Sequence, residues 1–150
     1  MKEVVVIGIG NPLLSDDRAG IVIVEDLERE GLPAQFEILY TVGFELLDKI
    51  LGYKKAIIVD ACMLGQKIGD ILEVKVEDIF ASSKLVNSHA MHIGTSLKLG
   101  FELYPDLMPK EVKIFLIEVE NIEEFSKNFT PEVKKAVEEV KQRIKQELCL

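Results

Sequence analysis

The chain has 150 residues, 48% of them hydrophobic and 29% charged, which excludes disorder and collagen-like repeats and predicts one domain over 1–150 with its own core. Its net charge of −8 argues against nucleic acid and against anionic lipid, both of which call for a basic face. No apolar run approaches the ~18 residues of a membrane span, and the short run from Met1 to Gly8 lacks a signal-peptide cleavage site, so the expected location is the cytoplasm.

Residues 3–9 (Glu-Val-Val-Val-Ile-Gly-Ile) form a continuous apolar, β-branched run, the pattern of a strand covered on both faces in a parallel sheet. Ser15, Asp16 and Asp17 follow as cap and first-turn residues of a helix to about Glu30, which Gly31-Leu32-Pro33 stops. Residues 35–41 read as a second strand, 43–52 as a short helix and 55–61 as a third strand. Asp70 to Val76 alternates as a strand. With no helix before it, this strand is expected to run antiparallel to the third. Residues 76–88 are mixed, with one helical turn. Residues 89–101 suit a helix and 111–119 a last strand. Thr130-Pro131 opens a C-terminal helix with a buried stripe of Val133, Ala136, Val137, Val140 and Ile144.

Strands alternating with helices through right-handed crossovers predict an α/β three-layer sandwich. The expected sheet is mostly parallel and twisted, with about five strands, one of them antiparallel, and helices on both faces. With the first two helices on opposite faces, the first strand is central, between the second and third. The crevice at the carboxyl ends of strands one and three is then the switch point where such sheets place ligands. The loops carrying Asp16, Asp17 and Asp60 open there.

Gly8-Ile9-Gly10-Asn11-Pro12-Leu13 begins like a dinucleotide fingerprint, but Leu13 stands at the third glycine position and Pro12 removes an amide. No acid ends the second strand, and Asp16 and Asp17 would repel a pyrophosphate. A nucleotide site is therefore not expected. Acids at a helix start complement its dipole by roughly 0.3–1 kcal/mol, which explains one of the pair better than both. Asp60 ends an apolar strand, where a carboxylate needs a cation, an amide or a metal. His89 and His92 are the only histidines. Three apart on a helix, they share a face. Two carboxylates and an imidazole make a mixed oxygen and nitrogen site for a borderline divalent metal. Cys62 reads either as a ligand or nucleophile beside Asp60 or as a small apolar filler at a strand end. Gly8, Gly10 and Asn11 shape the first loop, or Asn11 bonds a peptide backbone.

The stretch from Gly8 through Asp17, followed by Gly20, resembles the opening motif of the hydrogenase maturation proteases, endopeptidases that finish the large subunit of NiFe-hydrogenases. Ile57-Ile58-Val59-Asp60-Ala61 matches that family's strand-three aspartate, and Ser88-His89 leading into a helix matches its histidine. The resemblance implies removal of a C-terminal extension from the large-subunit precursor after nickel insertion. It implies Asp17, Asp60 and His89 as the metal-binding and catalytic positions. The nickel would be carried by the substrate and not permanently bound, with the precursor as partner and neither nucleic acid nor membrane insertion involved.

The family's acid is the second of the pair, which selects Asp17 over Asp16. Its histidine fits His89 better than His92, by the spacing to helix positions ending at Leu97. Arg18 departs from a family that commonly has glycine there, and His92 departs from one whose histidine is commonly alone. Either the metal or a carboxylate acting as base activates water. Two other classes fit the same residues: a non-enzymatic nickel chaperone for hydrogenase assembly, and a small-molecule binding protein whose acids merely cap helices.

Overall fold

The computed structural model describes residues 2–13, 16–81, 90–120 and 129–149. Five strands, β1 (Lys2–Ile9), β2 (Gln35–Leu39), β3 (Tyr53–Cys62), β4 (Ile71–Val74) and β5 (Glu111–Glu118), form one sheet in the order β2-β1-β3-β5-β4. β1 pairs parallel with β2 and β3, β3 pairs parallel with β5, and β4 alone is antiparallel, on β5. The fold is the expected α/β sandwich with β1 between β2 and β3. One detail is corrected. β4 does run opposite to β3 but does not pair with it, because β5 is inserted between them. A parallel β5 on β3 continues an apolar ladder from Ala56↔Val112 to Ala61↔Ile117, which a short, half-exposed β4 would not cover.

Alternating residues of each central strand face opposite layers. Val5, Ile7 and Ile9 of β1 belong to one core with Leu46, Leu47 and Ile50 of α2 (Phe44–Ile50), Ile79 of α3 (Val76–Ala81), and Ile93 and Leu97 of α4 (Ala90–Leu103). Val6 belongs to the other, with Ile23, Val24 and Leu27 of α1 (Ala19–Arg29) and the predicted stripe of α5 (Pro131–Leu148). Together the two cores supply most of the favourable free energy of folding. Near the end of α5, Glu147 bonds Lys55 of β3 and Lys113 of β5. Among the described residues no helix is long and apolar enough to cross a membrane.

The contact that positions the functional edge is between two glycines. A Cβ on Gly8 would lie 2.1 Å from the carbonyl oxygen of Gly20, and one on Gly20 would lie 2.6 Å from that of Val59 and 2.7 Å from that of Ile9. Only hydrogen at both positions lets α1 begin directly over the ends of β1 and β3. The chain then enters α1 through a 3-10 turn, Asp16–Arg18. The acids therefore precede the helix instead of capping it, and Arg18 occupies the N-cap without a side-chain cap bond. Arg18 has φ −86°, ordinary right-handed backbone that does not require the family's glycine. Its guanidinium lies 4.4 Å from the centre of the Phe129 ring, a cation–π contact that ties the turn to the start of α5.

Candidate active site

The carboxyl ends of β1, β2, β3 and β5 open on a cavity of about 550 Å³, lined in part by Gly10, Asn11, Asp17, Thr41, Asp60 and His92. It lies where β2 and β3 diverge on either side of β1, the switch point expected from the connectivity. Among the described residues two carboxylates line it and no lysine or arginine does, so its electrostatic character is anionic.

The neighbouring acids take opposite roles. A 3-10 turn has 3.0 residues per turn, so successive side chains diverge by about 120°. Asp16 is fully buried and accepts hydrogen bonds from the Thr130 N–H (3.1 Å) and hydroxyl (3.2 Å). It clamps the turn to the start of α5. Thr130, expected to cap its own helix, makes no such side-chain bond, because its hydroxyl is turned to Asp16. Asp17 faces the cavity, and its Oδ2 accepts the Asn11 N–H at 3.0 Å. Asn11 Oδ1 in turn accepts the Leu13 N–H at 2.9 Å, the self-bonded turn that asparagine favours. Asn11 is thus a loop-shaping residue. A Cβ on Gly10 would lie 2.2 Å from the Asp17 carbonyl oxygen, so the glycine lets this loop close on the Asp17 backbone.

Asp60 is buried at the end of β3, and its Oδ1 accepts the Ala61 N–H at 2.8 Å. That bond holds the carboxyl group at the carboxyl end of β3. The structure therefore brings Asp17, from the turn before α1, and Asp60, from the end of β3, to one cavity. His89 lies outside the described residues. His92, exposed on α4, lines the cavity as well. Among the described residues no three His, Cys, Asp or Glu side chains are grouped so as to hold a metal ion. The two carboxylates are hard oxygen donors.

Glu118, at the end of β5, is a residue that sequence reasoning missed. It is buried, and its carboxylate accepts the N–H of Leu64 (3.0 Å to each oxygen) and of Gln66 (3.2 Å). Its backbone bonds Gly69 and Asp70. Glu118 thereby pins the excursion after β3 that carries Met63. The available signal was an acid inside an apolar strand end, the same signal that singled out Asp60.

Cys62 packs beside both acids, with its Sγ 4.0 Å from Glu118 Oε1. Burial, with smaller contributions from Glu118 and Asp60, pushes its thiol pKa up to about 12. The thiolate is the nucleophilic form, so Cys62 is a packing residue here. At pH 8 iodoacetamide should label the native protein once, at the exposed Cys149, and twice after unfolding. Intact-mass measurement checks this, and a native double adduct would contradict it.

The family model described as hydrogenase maturation protease matches residues 21–147, a span that includes Asp60 and begins after the glycine loop. No curated protein sequence matches the chain. Among solved structures, the NiFe hydrogenase maturation protease HybD from Thermococcus kodakarensis is similar at 26% identity and a TM-score of 0.78, covering 97% of this chain and 99% of that one. The hydrogenase maturating endopeptidase HybD from Escherichia coli is similar at 27% identity and a TM-score of 0.75, covering 95% and 89%. The endopeptidase HycI from Escherichia coli shares the fold, at 21% identity and a TM-score of 0.72 over 97% and 90%.

Proposed function

The chain belongs to the hydrogenase maturation protease family, and on that premise we propose that it is the endopeptidase that removes the C-terminal extension of a NiFe-hydrogenase large-subunit precursor after nickel insertion. The observation that carries the reading is the meeting of Asp17, from the turn before α1, and Asp60, from the end of β3, at one anionic cavity on the switch point. The nickel arrives as part of the substrate. Asp17, Asp60 and His89 are its ligands from this chain and read its presence, in the cytoplasm, before the tail is cut. Holding the metal also fixes the adjoining peptide, so that water adds to the scissile carbonyl and the amine of the tail leaves with a proton. A carboxylate within reach of that water accepts its proton and passes it to the leaving amine, and the substrate's metal, by binding the water oxygen, would make that proton easier to remove.

The test is tail removal followed by intact mass. Wild-type protein should shorten nickel-loaded precursor and cut nickel-free precursor at least about tenfold more slowly, a discrimination of roughly 1.4 kcal/mol. Equal cleavage of both overturns metal recognition. Precursor of unchanged mass that nonetheless binds the protein through nickel would overturn the peptidase reading and favour a chaperone.

A further inference from the structure

Among the described residues, four of the nine large apolar side chains left exposed fall on the segments around the candidate active site. Leu13 (65% exposed), Tyr40 (64%), Phe44 (73%) and Met63 (55%) lie on the loop after β1, the loop after β2, the first position of α2 and the loop after β3. Tyr40 and Met63 line the cavity that holds Asp17 and Asp60. Phe44 follows the lining residues 40–42 by one glycine, and Leu13 stands two residues after the lining residue Asn11. Folding gives no reason to leave two such groups exposed on the wall of an anionic hollow, with two more close to its lining residues in sequence, and exposed apolar patches mark contact sites.

The supports beneath them are firm. Ser96 Oγ of α4 donates to the Gly43 carbonyl at 3.5 Å, Gly10 N–H donates to the Leu39 carbonyl at 3.1 Å, and Glu118 pins the Met63 loop. A preformed apolar rim of this kind loses little ordering entropy when covered.

We propose that Leu13, Tyr40, Phe44 and Met63 form the docking rim for an apolar, non-acidic polypeptide segment of the precursor, seated across the cavity mouth. The occupant follows from two features. The rim is continuous with the candidate active site, so what covers it is joined to what enters the cavity. Among the described residues the cavity is lined by two carboxylates and no lysine or arginine, so an acidic segment is repelled while an apolar one buries the rim. The inference rests on the peptidase reading for its occupant. It adds that affinity for the precursor resides in these side chains, and the response of the substrate metal in the carboxylates.

The experiment compares wild type with Tyr40→Ser, Phe44→Ser and Met63→Ser, singly and combined, on nickel-loaded precursor. Phe101→Ser and Leu107→Ser serve as controls, at exposed apolar positions away from the cavity. The combined variant should raise KM by about tenfold or more, as loss of a central apolar contact does, with kcat within about twofold and the controls unchanged. Replacing apolar residues of the tail by Asp should raise KM similarly with wild-type protein.

An unchanged KM in the combined variant overturns the proposal. So does a wild-type dimer, seen by light scattering, that the combined variant abolishes, because a second copy would then be the occupant. If wild type cuts no precursor at all, the peptidase reading fails alone. Calorimetric binding of the intact precursor, lost in the combined variant and kept in the controls, would still support the rim, and equal binding would overturn it.

Discussion

Asp60→Asn and Asp17→Ala are each expected to slow tail removal from nickel-loaded precursor by at least about 100-fold, the low end of what a positioned acid or base contributes. The two substitutions act on different elements but on one cavity. Asp60 sits at the end of β3 with Oδ1 held by the Ala61 N–H. Asparagine keeps the size of the side chain and an oxygen acceptor, and removes the negative charge proposed to meet the metal-bearing substrate. Asp17 uses one carboxylate oxygen on the Asn11 N–H. Alanine removes the whole donor while leaving backbone that the 3-10 turn already defines.

The double variant should be little slower than either single one, because residues acting as a unit lose their effect together. Circular dichroism and thermal melting establish that each variant is folded. Processing by either single variant at the wild-type rate would falsify the assignment of these acids. Additive losses would show that they act independently.

The neighbouring Asp16→Ala should behave in the reverse way, as the largest stability loss among the acids of this loop. Asp16 is fully buried and accepts two hydrogen bonds from Thr130, 114 residues further along the chain. Hydrogen bonds to charged groups contribute about 1.5–3 kcal/mol, and removing the acceptor leaves the Thr130 donors without it. A loss of about 2–3 kcal/mol corresponds to a fall in Tm of roughly 5–10 °C for a domain of this size.

Thr130→Val should cost less, since its N–H still reaches Asp16. The Asp16→Ala, Thr130→Val pair should show a coupling of about 1 kcal/mol in a double-mutant cycle. Asp17→Ala, by contrast, should cost less than Asp16→Ala, because its bond to the Asn11 N–H is only part-buried. A melting temperature for Asp16→Ala equal to that of wild type would remove the clamp from the account. The contrast also separates the two acids in function, because a folded Asp16 variant keeps the Asp17 carboxylate.

This division bears on how the site is built. The active edge is assembled by the glycine pair Gly8 and Gly20, which sets α1 over the ends of β1 and β3. It is completed by the Asp16 clamp, which anchors the turn to α5, and by Glu118, which anchors the loop after β3. None of these three devices needs to touch substrate. Each reduces the freedom of a loop that does, which is how binding geometry is prepared in advance.

Much of the fold was legible along the chain. An apolar, β-branched run at 3–9 announced a strand covered on both faces, further runs at 55–61 and 111–119 announced strands, and a Thr-Pro start with a helical apolar stripe announced α5. These signals are local, because burial on both faces or on one stripe is written in the period of the side chains. The central place of β1 followed from the handedness of the crossovers. That Asp16, Asp17 and Asp60 would come to one crevice followed from the same connectivity, the family resemblance chose Asp17 over Asp16, and the structure turns Asp16 away to Thr130. The family resemblance rested on motifs at those same points.

What the chain by itself determined, then, is the set of elements, the two-sided core and the edge at which the chemistry lies. Tertiary structure alone decided that β5 stands between β3 and β4, that of two adjacent aspartates one clamps a distant helix while the other faces the cavity, and that Glu118 serves a loop rather than the solvent. The physical reason is the same in each case. Strand neighbours and the partners of buried carboxylates are chosen by pairing across tens of residues, where sequence spacing carries no information about direction, and a turn of three residues per revolution sends identical side chains to different environments.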